Sequence, residues 1–229
     1  MPYTARVYIV AVISAGLAVL AAGLWSWTQP DPVRLAGYLA LAMVASSLKI
    51  RMPGVTGTFS LNPVFILLTF AHVGFPSALL VGGASVLVQS FWRPKRRPSL
   101  VQIVFNVSNV SISTGVAYLA YSGVQTRFSP AEPFAPLAAA AAAYFIVNTA
   151  LVSIVLAMVE SKPVTSVWNT WLSWAFPYYV IGTILASQMA PLSSLARWGG
   201  AWLSLAGMIP LYLWYRWQMD HLMKHRDGV

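Results

Sequence analysis

Cysteine is absent from the 229 residues, which removes disulfides, thiol nucleophiles and cysteine-ligated metals together. Charge is nearly as scarce. Five acidic and 14 basic side chains make up 8% of the chain, against about 25% in an ordinary soluble domain. So few charges cannot cover a globular surface, and lipid is the solvent that suits this composition. The five acids are Asp31, Glu132, Glu160, Asp220 and Asp227, all between or beyond the apolar runs. Ion pumping through buried carboxylates is therefore not expected. Phosphate loops, zinc-binding spacings and nucleophile elbows are missing as well. The chain reads as non-enzymatic, with no cofactor and no metal.

What is present is apolar: 58% of residues are hydrophobic, arranged in long runs. At about 20 residues per span plus short loops, the length accommodates seven or eight transmembrane helices and no separate soluble domain. The expected spans are Val7 to Trp25, Val33 to Ile50, Asn62 to Val73, Ser77 to Trp92, Leu100 to Tyr121, Leu137 to Val159, Ala175 to Ala190 and Gly199 to Trp217. The third and fourth are short and separated by Gly74-Phe-Pro76, as two short helices or a re-entrant pair. Glycine and proline break the segment Met52 to Ser60, and Arg93 to Pro98 forms a basic loop. Pro163 to Trp174, with three tryptophans, suits an interfacial segment. The fold class expected is an all-α polytopic membrane bundle over residues 1–217, followed by a polar cytoplasmic tail over 218–229.

The net charge of +9 first suggests nucleic acid, but the cations sit in short clusters between apolar runs. With eight spans and the N-terminus inside, Arg6, Lys49, Arg51, Arg93, Lys95, Arg96, Arg97, Lys162, Arg216, Lys224 and Arg226 face the cytoplasm. Only Arg34, Arg127 and Arg197 fall outside. This bias sets the orientation, both termini in, and makes membrane lipid the expected partner and nucleic acid an unsuitable one.

The apolar runs still contain uncharged polar groups. In the fifth run Gln102, Asn106, Asn109 and Ser113 are spaced 4, 3 and 4 apart, which puts them on one helix face. Tyr144 and Asn148 pair at i,i+4 in the sixth, Gln89 closes the fourth, and His72 ends the third. Such amides either join helices by hydrogen bonds or line a pocket for a small neutral ligand. His72 has the chemistry of an axial ligand or a pH-sensing group, but no second inward-facing histidine accompanies it. His221 and His225, also at i,i+4, suit a solvated helix face in the tail.

Several short stretches, taken in order, form a familiar series. They are Arg51-Met-Pro-Gly-Val-Thr-Gly-Thr-Phe-Ser-Leu-Asn62, Val88-Gln-Ser-Phe-Trp92, Arg97-Pro98, Gln102-Ile-Val-Phe-Asn106, Tyr144-Phe-Ile-Val-Asn-Thr149, Trp174-Ala-Phe-Pro-Tyr-Tyr179 and Pro210-Leu-Tyr-Leu-Trp-Tyr-Arg216. From about Leu48 to Arg216 the chain resembles the multi-span membrane sensor modules at the N-termini of bacterial HD-type phosphohydrolase and GGDEF-type signalling proteins. The resemblance implies an input module in a bacterial cytoplasmic (inner) membrane that passes a signal to a cytoplasmic output. Asn106, Asn148 and a Pro177-Tyr178-Tyr179 turn would be its matching residues here. Because the sequence ends at Val229, the expectation is an isolated module or one that acts through a separate cytoplasmic or membrane protein partner.

The expected role is a sensor or binding module for a small or lipid-like ligand held between the fourth, fifth and sixth helices. Its candidate contacts are Asn106, Asn109, Asn148, Gln102, Gln89, His72, Tyr144 and Tyr178. A small-solute transport component, like the substrate-binding subunit of a vitamin uptake system, has the same composition and charge bias. So does an accessory subunit of a larger membrane complex.

Overall fold

Each apolar run becomes a helix, and local chemistry sets where it starts. The computed structural model describes residues 2–27, 31–51, 58–60, 62–92, 97–127, 133–189 and 199–227. They form α1 (Tyr3–Trp25), α2 (Pro32–Ser47), β1 (Lys49–Arg51), β2 (Thr58–Ser60), α3 (Asn62–His72), α4 (Phe75–Phe91), α5 (Leu100–Gln125), α6 (Phe134–Glu160), α7 (Val164–Met189) and α8 (Gly199–Asp227). The Asp31 carboxylate accepts from Val33 N and Arg34 N at 3.0 and 3.2 Å, so α2 begins capped, with Pro32 in its first turn. A capping box starts α5: Gln102 N donates to Ser99 Oγ at 3.3 Å and Ser99 N donates to Gln102 Oε1 at 2.9 Å. Gly74, at φ 117°, makes the sharp reversal between α3 and α4 that a residue with a Cβ would strain to adopt.

Three of the described helices, α1, α5 and α6, are long and apolar enough to cross a membrane, by length and composition. The structure departs from the sequence expectation in three places. Residues around the glycine-proline break pair as a short antiparallel ribbon, with Lys49 opposite Ser60, Ile50 opposite Phe59 and Arg51 opposite Thr58. The tryptophan-rich segment and the seventh run form one continuous helix, α7, with Pro177 inside it instead of at a turn. A mid-helix proline lacks only one amide hydrogen, and packing on α6 and α8 holds the helix together across that gap. Lastly, α8 carries its helix through the polar tail to Asp227. The break residues 52–57, the loop cations 93–96, and segments 128–132 and 190–198 lie outside the described residues. The same is true of the side chains of Trp171, Trp174 and His225.

At the centre stands α3. Its residues from Asn62 to Phe70 are all buried, and it touches α2, α4, α5, α6 and α7. Around it, α5 is flanked by α1, α4 and α6. Glycine brings α1 close: a Cβ at Gly16 would overlap the backbone of Ser108 on α5. Ser108 Oγ donates to Ile13 O at 3.3 Å, and Tyr8 OH donates to Leu151 O on α6 at 3.1 Å. At the opposite side of the bundle the ribbon packs on α8, with Ile50 1% exposed in the same core cluster as Tyr212 and Tyr215. The Lys49 ammonium donates to the carbonyl of Trp92 at the end of α4, and partial burial lowers its pKa. That contact places the end of α2 and the end of α4 on one side of the bundle.

Candidate functional site

The polar stripe on α5 changes character along its length. Gln102 and Asn106 are exposed, whereas Asn109 is 3% exposed and Ser113 is fully buried. From Asn109 onward α6 covers the stripe, and the polar groups meet partners there. Asn109 Nδ2 donates to Asn148 Oδ1 on α6 at 2.7 Å. Ser113 Oγ donates back to Asn109 O at 2.8 Å and reaches Asn109 Oδ1 at 3.5 Å. The Tyr179 side chain, from α7, approaches Asn148 as well. Two helices therefore share a chain of uncharged hydrogen bonds, and a third brings a phenol up to it.

Aromatic rings close the site on the α7 side. Tyr144, 1% exposed, lies 6.2 Å from the Tyr179 ring, and Phe145 meets Tyr179 edge-on at 5.0 Å. Tyr178, fully buried, points elsewhere: its ring packs edge-on against Tyr215 of α8 at 6.4 Å. The two neighbouring tyrosines thus face different helices, as residues about 100° apart on a helix must.

Of the residues singled out from sequence, Asn109, Asn148 and Tyr144 come together, and Tyr178 stands one helical position from Tyr179. Asn106 lies on the same stripe at its exposed end. Gln102 is occupied by the capping box, and Gln89 is half-buried in the last turn of α4. His72 belongs to a second cluster. Its Nδ1 lies 2.8 Å from the hydroxyl of Tyr38 on α2, with the rings stacked at 6.0 Å. Phe70, Phe75, Tyr118 and Tyr121 pack on one another across α3, α4 and α5. Tyr38 was not singled out, because it meets His72 across 34 residues of sequence; Tyr179 entered only through the resemblance, within the Pro177-Tyr178-Tyr179 stretch.

Chemically, the α5–α6–α7 site offers amide and phenol groups that both donate and accept, in an apolar wall. It can orient a neutral or weakly polar group. Among the described residues no group of three or more histidine or acidic side chains stands together to hold a metal.

No curated protein and no solved structure matches the chain. A family model does match, over residues 35–216, which covers α2 through most of α8 and leaves α1 outside. The chain belongs to MASE9, a family of membrane-associated sensor domains.

Proposed function

We propose that the chain is a non-enzymatic sensor of the bacterial cytoplasmic membrane that binds a small or lipid-like hydrogen-bonding ligand along the polar stripe of α5. Its state then passes to a cytoplasmic partner, of the kind represented by HD-type or GGDEF-type output domains. The observation that carries the reading is the continuity of the stripe, from the exposed amide of Asn106 to buried Asn109 and its half-buried partner Asn148. Asn106 lies six residues into α5, about 9 Å along the axis from Leu100. An amide at that depth on an apolar helix is expensive unless something hydrogen-bonds it. An amphiphile with a neutral polar head and an apolar body meets both requirements of this surface. The apolar exposed residues beside it, Val101 and Val116, suit such a body.

The orientation in this proposal has the eight described helices crossing in turn, both termini inside, with α3 as the short central member. The positive-inside bias supports it. So does the Lys49 contact to Trp92, which brings two segments assigned to the cytoplasm together.

The test is mass spectrometry of the chain purified in mild detergent, compared with Asn106→Leu and Asn148→Leu. A copurifying amphiphile lost from both variants, with helical content and elution volume unchanged, is the expected result. Retention of the same molecule by both folded variants, or its absence from the parent chain, would overturn the ligand reading.

A further inference from the structure

Most of the polar and aromatic features described so far serve to hold helices together, but one pair of residues joins the site to a distant helix. Tyr179 is tied to α6 through Asn148, Phe145 and Tyr144, while Tyr178 packs on Tyr215 of α8. Immediately before them stands Pro177. It has no amide hydrogen, so the carbonyl of Ser173, one turn back, has no intrahelical partner from that position. A helix bends most readily where its hydrogen-bond ladder is interrupted.

We infer that the Pro177-Tyr178-Tyr179 segment is a mechanical coupling between the α5–α6 amide site and α8. It rests on the ligand reading above only for the identity of the signal. When the hydrogen bonding of Asn148 changes, the Tyr179 ring beside it shifts against Tyr144 and Phe145 on α6. The α7 segment then pivots at Pro177. Because Tyr178 is rigidly adjacent, its ring moves against Tyr215 and displaces α8. The β1 strand of the ribbon packs on α8, and Ile50 and Tyr215 belong to one core cluster, so displacement of α8 is felt at the end of α2 as well. The two tyrosines differ in what they report. Tyr179 reads the site, and Tyr178 moves the exit helix.

The chain's lack of cysteine allows spin labels at two introduced positions, Leu119→Cys on α5 and Leu213→Cys on α8, both exposed. Distances between them are measured by pulsed electron resonance on the full chain in phosphatidylglycerol-containing nanodiscs. Asn148→Leu and the milder Tyr179→Phe, which keeps the ring and removes only the hydroxyl, are each expected to shift the distance by about 1–2 Å, the scale of helix shifts in switching proteins. Adding Pro177→Ala restores the amide and is expected to suppress the shift. A folded Tyr179→Phe chain with an unchanged distance overturns the coupling. So does a shift of the same size with and without Pro177. The binding measurement is separate. Loss of a bound amphiphile without movement of α8 defeats the coupling and leaves the ligand reading intact, whereas movement without any bound amphiphile does the reverse.

Discussion

Breaking the amide pair between α5 and α6 has a calculable effect. Asn109 is almost fully buried, and its Nδ2 donates over 2.7 Å to Asn148 Oδ1. Asn148→Leu removes the acceptor and leaves the Asn109 amide without it in an apolar wall, and a buried donor left unpaired costs about 1–3 kcal/mol. The serine that backs the pair, Ser113, still donates to the Asn109 carbonyl, so its own bond is unaffected. Asn109→Leu strands Asn148 in the same way, but Asn148 is only half-buried, so the expected loss is smaller. With both replaced, two leucines face each other and neither amide is left without its partner. The double variant is therefore expected to lose less than the sum of the singles. The difference, the coupling energy, should be about 0.6–1.7 kcal/mol, the range for hydrogen bonds between helices in lipid. Reversible unfolding of the four chains in bicelles measures it. Strictly additive losses would refute the reasoning, because they would mean that neither amide depends on the other.

Two further outcomes follow from features of the same bundle. Gly16→Ala drives a Cβ into the Ser108 backbone and should destabilise the α1–α5 seam by about 1–3 kcal/mol. Gly83→Ala, where nothing stands within 4 Å, should be neutral or gain up to about 1 kcal/mol from helix propensity, and thermal unfolding of the two variants side by side decides it. In oriented vesicles, a cysteine at Ser99 should label only from the cytoplasmic face. One at Ser129, which lies outside the described residues, should label from the opposite face, and the reverse pattern would invert the orientation.

The helices were legible in the sequence because apolar runs and their breakers are local. Gly74-Phe-Pro76 marks the α3–α4 reversal to within a residue or two, and the series of motifs ending at Arg216 meets the family match at its C-terminal limit. The ribbon was not legible: residues 52–57 contain two glycines and a proline, which signal a break without saying that the flanking triplets pair. Nor was the continuity of α7, since Pro177 in the sequence weighs against a helix and only packing on α6 and α8 outweighs it. In the site, helical spacing correctly grouped Asn109 with Ser113. It also placed Asn106 and Gln102 on that face, but whether a face is covered depends on the neighbouring helix. There α6 covers only the deeper part, and the first turn of α5 is spent on capping.

The enclosed position of α3 has a consequence for how the chain is made. Eleven residues extend about 16 Å, roughly half the hydrocarbon thickness, so α3 cannot hold itself across a bilayer during synthesis. Its side chains from Asn62 to Phe70 meet protein on every side, from helices that are synthesised both before and after it. While α5, α6 and α7 are still on the ribosome, those surfaces have nothing to pack against. The central helix thus reaches its final environment only after α7 is made, although it is third in the chain. Any substitution that delays the arrival of α5 to α7 leaves α3 as the segment exposed to misinsertion and quality control.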